Sequence, residues 1–232
     1  NLQIDEVRLF DIDREKQDII GKLCRYVVQR EKEDLEVNVC RTCEEAVTGA
    51  DYIVTTIRVG GDHSRVQDER AALGEGVLGQ ETTGAGGFSM AARAIPVLLD
   101  YCKIFQKYAP DAWIFNFSNP SGMVTQALVS EGYDKVIGIC DAPSATKFRM
   151  AQKLGVTEDE LYVEFFGLNH LSWISSVKKQ GKEILPELLK DDAFLDSMQE
   201  FETFDHEAIK SSGFLPNEYL YYYYHREKAV AN

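Results

Sequence analysis

The chain has 232 residues, 44% hydrophobic and 27% charged, which is enough apolar material for one large domain or for a domain with an appendage. Its 38 acidic and 25 basic side chains leave a net charge of -13, which argues against nucleic acid, a ligand held mainly by Lys and Arg on phosphates. No apolar run reaches the ~18 residues of a membrane span, no signal sequence opens the chain, and the five cysteines form no dense framework, so a cytoplasmic protein with reduced thiols is expected.

The opening "NLQIDEVRLF" reads straight into a strand, and "EVRLFDID" (6–13) precedes an amphipathic helix from Arg14 to about Lys32. Asp11 and Asp13 close that strand, where a carboxylate can hold the ribose hydroxyls of a dinucleotide or cap the following helix, a role that suits Asp13 particularly well. Cys40 and Cys43 form a lone C-x-x-C with no second pair, so neither a zinc nor a redox motif is expected. "DYIVTTIRVGG" (51–61) is the next β-rich run and ends at a glycine pair. Arg65 follows on what reads as a flexible loop, where its guanidinium could clamp a phosphate or stay solvated. "GQETTGAGGF" (79–88) sets Gly84, Gly86 and Gly87 ahead of the helical "SMAARAIPVLLDYCKIF". Such a loop either admits an anion to free backbone N–H groups or is only a tight turn. Glu81, inside it, suits sugar hydroxyls or metal-bound water.

"AWIFNFSNPSG" (112–122) is a third strand leading into a helix. Asn119 precedes Pro120 and should therefore be extended, with its amide free, unless Ser118 or Asn119 caps the helix. "KVIGICDAP" (135–143) leads into "SATKFRMAQKLG", with Gly155 as C-cap. Short buried strands alternating with helices predict an α/β fold, a Rossmann-like doubly wound parallel sheet whose ligands lie beyond the carboxyl ends of the strands. The polar residues at those ends (Asp11 and Asp13, Arg58 to Arg65, Asn116 to Asn119, Cys140 and Asp141) then converge on one edge. After Gly155, "LYVEFFGL" and "LSWISSVKKQGKEI" read as antiparallel strands with a turn near Gly181, and "LPELLKDDAFLDSMQEF" reads as a helix. The expected division is a dinucleotide-binding domain over 1–160 and the start of an α+β substrate domain over 161–232.

"FFGLNHLSW" (165–173) places Asn169 and His170 in an apolar run. Burying an unpaired amide or imidazole costs roughly 1–3 kcal/mol, so either the protein or a ligand must satisfy them. Cys140 and His170 are soft donors at two element ends. Two protein ligands make a poor structural zinc site but could serve a divalent metal completed by water or substrate hydroxyls. A nucleophilic Cys–His dyad is the other reading, though no oxyanion motif accompanies it.

"TTIRVGG", "GVLGQETTGAGGF", "NFSNPSG", "GICDAP" and "GLNHLSW", in this order and across nearly the whole chain, resemble the signature segments of the family-4 glycoside hydrolases, the 6-phospho-β-glucosidases above all. Those enzymes are an NAD-dependent exception to two-carboxylate glycoside hydrolysis. The resemblance implies oxidation of the sugar at C3 by bound NAD⁺, removal of the C2 proton by a tyrosine, elimination of the glycosidic oxygen and addition of water. It makes Cys140 and His170 ligands of a divalent metal, usually manganese, which polarises the C2 and C3 oxygens. It assigns Arg65, Glu81, Asn119 and Asn169 to a phosphorylated disaccharide, and Asp11, Arg58, Val59 and Asn119 to NAD. The tyrosine base falls in "FLPNEYLYYYYHREK", with Tyr219 favoured and Tyr221 to Tyr224 left to aromatic packing. Asp141 could act as general acid, which keeps a 6-phospho-α-glucosidase or α-galactosidase open. A lactate/malate-type dehydrogenase and a non-catalytic sugar-phosphate sensor are the readings outside the family. A homo-oligomer, dimer or tetramer, is expected. The glycine loop for the pyrophosphate would lie upstream of Asn1 and the rest of the sugar pocket downstream, so the chain reads as an incomplete piece of a longer polypeptide.

Overall fold

The computed structural model describes residues 3–231; Asn1 and Leu2, at the head of the stretch expected to run into the first strand, and Asn232 lie outside the described residues. Strand β1 (Glu6–Leu9) pairs in parallel with β2 (Glu36–Val39), and α1 (Arg14–Glu31) connects them. The helix begins where the Asp13 carboxylate accepts from Lys16 N at 3.0 Å, the capping expected of that residue. It ends at Lys32, whose φ of 57° is left-handed. Buried Gln17 donates to the Leu9 and Cys40 carbonyls, both at 2.7 Å, and so fastens α1 to the ends of both strands. The sequence reading had no place for β2 or for α2 (Cys43–Val47). Cys40 follows β2 and Cys43 opens α2, both as buried free thiols.

Strands β3 (Tyr52–Thr55), β4 (Trp113–Asn116) and β5 (Val136–Gly138) form a second parallel sheet in that order. Helices α3 (Gly61–Gly74) and α4 (Gly84–Tyr108) connect β3 to β4, and α5 (Ser121–Ser130) connects β4 to β5. Ile53, Ile114 and Val136 on one sheet face pack with Leu98, Cys102 and Phe105 of α4 and with Val124 and Leu128 of α5. Burying a leucine such as Leu98 or Leu128 contributes about 1.5–3 kcal/mol. Cys43 and Val47 join the same cluster, so α2 ties the two parallel sheets together.

Two local expectations change here. Arg65 is not on a flexible loop: Gly60 (φ 81°) turns the chain, and α3 begins at Gly61, which puts Arg65 in its second turn. Gly84 opens α4, and Gly86 and Gly87 lie inside it rather than ahead of it. A Cβ on Gly86 would stand 2.6 Å from the Gln80 carbonyl oxygen, and one on Gly87 2.6 Å from the Thr82 carbonyl carbon. These two glycines are therefore needed for close packing of the preceding loop against the helix.

Helix α6 (Ala142–Leu154) follows β5 and ends, as expected, at Gly155 (φ 65°). The antiparallel sheet comes next: β6 (Leu161–Leu168), β7 (Leu171–Lys179) and β8 (Lys182–Glu183), the last turn lying at Gln180 and Gly181. The helix expected over "LPELLKDDAFLDSMQEF" is two short ones, α7 (Leu185–Leu188) and α8 (Asp192–Ser197). Asp191 breaks it by accepting from Phe194 N at 3.0 Å and capping α8. Helix α9 (His206–Ser212), strand β9 (Leu215–Pro216, paired with β7), α10 (Tyr221–Tyr224) and α11 (Arg226–Ala231) complete the described chain. Met150, Leu161, Ile174, Leu195, Phe201 and Leu220 belong to an apolar cluster whose buried members all lie within 150–220. The cluster around the second parallel sheet draws its buried members from 43–136.

Candidate active site

Cys140 stands two residues beyond β5, just before α6. The strand end is held to its neighbour by Ile139 N donating to Asn116 O at 3.0 Å. His170 occupies the two-residue turn between β6 and β7 with φ 59°. Gly167, at φ 115°, permits the tight approach of the hairpin, since a Cβ there would stand 2.4 Å from Leu171 O. The turn brings His170 Nε2 to 3.4 Å from Cys140 Sγ. Stacked on the imidazole is the Tyr219 ring, 3.7 Å between centroids and 10° from parallel. Asn217, buried beside the tyrosine, anchors that turn: its Oδ1 accepts from Tyr219 N at 2.9 Å and its backbone N donates to Ser172 O at 3.0 Å.

The apolar run around Asn169 and His170 is not a buried run. His170 is 5% exposed, whereas Leu168 is 71% exposed, and Phe166 and Asn169 are also exposed. A hairpin divides its side chains between two faces, so His170 and Ser172 are buried, Phe165, Leu171 and Trp173 pack partly buried against the apolar cluster of 150–220, and Phe166, Leu168 and Asn169 face outward. Asn169 lines an open cleft with Cys140, Gly138, Ser121 and Thr125.

Burial pushes the His170 pKa below its usual value, partly offset by the negative charges of Glu81 and Asp141. The neutral imidazole, the form that ligates a metal, is thus favoured. Burial raises the Cys140 thiol, against hydrogen bonding from Ala142 N. Burial also pushes Tyr219 up to about 12, with the charges of Cys140, Glu218 and Glu81 adding in the same direction. A thiol and a neutral imidazole facing one point suit a divalent transition cation. Among the described residues no group of three or more His, Cys, Asp or Glu could hold a metal, so such an ion would keep positions for water or hydroxyls.

Glu81 is held by two arginines: its Oε2 lies 2.5 Å from Arg58 Nη1 and 3.5 Å from Arg65 Nη1. Arg65 Nε is buried with no hydrogen-bond partner. Arg93 on α4 donates Nε to Val59 O at 2.9 Å while its two terminal nitrogens grip Asp68, which fixes the backbone beside Arg58.

Two expected residues, Asp11 and Asn119, share no hydrogen bond or ion pair with this cluster among the described residues, while Asp141 adjoins it beside Cys140. Asp11 accepts from Asp13 N at 2.8 Å, and no hydrogen bond or ion pair among the described residues joins it to Cys140, His170 or Glu81. Asn119 spends its amide oxygen on Ser121 N at 3.4 Å, so only the NH₂ group is uncommitted. Asp141 sits at the N-cap position of α6 without a capping hydrogen bond, and its carboxylate is exposed. Asn217, outside the expected set, is signalled in the sequence only by "PNEY", where Asn two residues before Tyr219 is a local capping pattern. Arg149, described below, had no such signal.

Fold and site together define a Rossmann-type α/β protein with a soft two-donor pair at the carboxyl edge of its parallel sheet. The chain belongs to family 4 of the glycosyl hydrolases: residues 1–156 match the family 4 glycosyl hydrolase model, and residues 165–232 match the model of the C-terminal domain of the same family. It is 32% identical to a 6-phospho-alpha-glucosidase of Leptotrichia buccalis over 98% of this chain and 55% of the relative. It is 35% identical to a 6-phospho-beta-glucosidase of Escherichia coli over 99% of this chain and 53% of the relative. The structure of the Thermotoga maritima 6-phospho-beta glucosidase with manganese, NAD⁺ and glucose-6-phosphate superposes with a TM-score of 0.90 at 35% identity, covering 99% of this chain and 54% of that one. The chain thus spans about half the length of the relatives it matches. Among the described residues no helix is long and apolar enough to cross a membrane.

Proposed function

We propose that this chain supplies the dinucleotide-facing sheet and the metal pair of an enzyme that hydrolyses 6-phospho-glucosides. The observation that carries this reading is the contact of Cys140 with His170, two soft donors, beside the half-buried Tyr219 ring that stacks on the imidazole. A divalent ion such as manganese would polarise sugar hydroxyls, and NAD⁺ would accept a hydride, chemistry that no side chain here provides. Cys140 and His170 hold the ion. Tyr219 lies against His170 and takes the proton from C2 of the sugar. Arg65, with a buried N–H lacking a partner, binds the 6-phosphate. Glu81 and Asn169 contact sugar hydroxyls, while Asp11, Arg58, Val59 and the free amide of Asn119 face the cofactor.

The preferred substrate is the β-glucoside. A second reading, the α-glucoside, is favoured by one observation: the Asp141 side chain next to Cys140 is exposed and caps nothing, so that in its acid form it could pass a proton to a departing oxygen. Full-length protein with NAD⁺ and manganese, acting in deuterated water on matched 6-phospho-α- and 6-phospho-β-glucosides, tests both readings. Deuterium at C2 of the product is expected, together with faster turnover of the β-anomer. Hydrolysis without C2 deuterium refutes the mechanism, and a preference for the α-anomer that falls in Asp141→Asn selects the second reading.

A further inference from the structure

Behind the candidate site lies a charged group that none of the roles above uses. Glu200, between Met198 and Phe201 of the C-terminal apolar cluster, is 1% exposed. Its Oε1 takes both Nε and Nη2 of Arg149, and its Oε2 is buried without a partner. The same Arg149 Nη2 stands 3.8 Å from an Oε2 of Glu218, the residue before Tyr219. One guanidinium therefore faces two carboxylates on separate segments, and without it those two negative charges would repel each other. Arg149 lies on α6, seven residues and so two turns beyond Ala142 at its start, on the same side of the helix. The rigid element that begins next to Cys140 thus also reaches the turn that carries Tyr219.

We propose that Arg149 is the positioning residue for Tyr219: by bridging Glu200 and Glu218 it holds the 218–220 turn so that the tyrosine ring lies on His170. Asn217 holds the start of the turn through Tyr219 N and Ser172 O, and buried Leu220 seats its end, while the Glu218 side chain between them is held by Arg149. The inference deepens the proposed function and rests on it wherever turnover is the readout.

The test uses full-length protein with isotope-labelled histidine, the His170 resonance being assigned by its loss in His170→Ala. In metal-free protein the stacked tyrosine ring shifts the His170 ring protons upfield, an effect that Tyr219→Leu should abolish. Arg149→Met alone would strand a buried carboxylate. The informative variants are therefore Arg149→Met with Glu200→Gln, which leaves only the partly exposed Glu218 charge, and Glu218→Gln, which removes one arm of the bridge. Both should lose much of the upfield shift, and kcat should fall by roughly 10- to 100-fold with KM unchanged, as expected for a misplaced reacting group. If both variants keep the wild-type resonance, the proposal is overturned. If the resonance moves and turnover does not, the positioning stands and the role of Tyr219 as base falls.

Discussion

Arg65→Ala is the substitution whose effect the geometry specifies most fully. The side chain is 37% exposed and contacts Glu81 at 3.5 Å and Glu69 at 3.7 Å, ion pairs in partly solvated positions worth about 0–1 kcal/mol each. Its Nε is buried and makes no hydrogen bond, Glu69 Oε1 lying 3.7 Å away, and a phosphate oxygen there would gain a charged hydrogen bond of roughly 1.5–3 kcal/mol. Part of that gain replaces the weak pairing of Nε to Glu69, while the Nη1 contact to Glu81 is backed by the shorter one from Arg58. The net loss on truncation should therefore lie near the lower end, about 1.5–2 kcal/mol, or roughly 10- to 30-fold in kcat/KM for phosphorylated substrates. Unphosphorylated glucosides should be nearly unaffected, and the melting curve should move little because the side chain is half-exposed. Arg65→Lys should fall between, since an ammonium keeps the charge but lacks the fork. The measurement is the ratio of kcat/KM for a 6-phospho-glucoside to that for its unphosphorylated counterpart, in full-length protein with NAD⁺ and manganese. An unchanged ratio, with both substrates losing equally, would refute phosphate recognition and leave Arg65 as a support for Glu81.

Manganese should protect Cys140 from iodoacetamide, and His170→Ala should remove that protection; equal labelling with and without the ion speaks against the metal pair. Cys43 and Cys102 should stay unlabelled in the folded protein whether or not metal is present, because burial raises their pKa values to about 11 and about 12. Gly167→Ala puts a Cβ against Leu171 O at φ 115°, so a loss of about 1–3 kcal/mol in stability and weaker manganese binding are expected by chemical denaturation and titration. An unchanged unfolding midpoint would show that the hairpin can relax around the added methyl. Leu98→Ala in the core beneath the second parallel sheet should cost about 2–5 kcal/mol, read as a shift in urea midpoint without a change in slope.

Much of the molecule is visible in short stretches of its sequence, because the forces behind those features act over a few residues. Asp13 caps α1 through a contact three residues away, Gly155 ends α6 by accepting a left-handed φ, and Gly181 turns β7 into β8. The alternation of apolar runs with helical stretches is enough to predict a parallel sheet, whose polar residues then gather at one edge. The pairing of Cys140 with His170 follows in kind from their donor chemistry. Its 3.4 Å separation exists only because a hairpin tip and a strand end, 30 residues apart in the chain, pack together.

Where side chains end up depended on long-range packing that no local pattern encodes. The same apolar run buries His170 and exposes Asn169 and Leu168, because a hairpin tip divides its neighbours between two faces. Arg65 became a helical residue since Gly60 could turn the chain ahead of it, and Gly86 and Gly87 are needed only because a loop folds back onto α4. Arg149, Glu200 and Glu218 are each unremarkable surface-type residues in the sequence. Only packing of α6, the segment after α8 and the Tyr219 turn makes them one charged group, since a buried carboxylate needs a cation and tertiary structure alone decides which one is near.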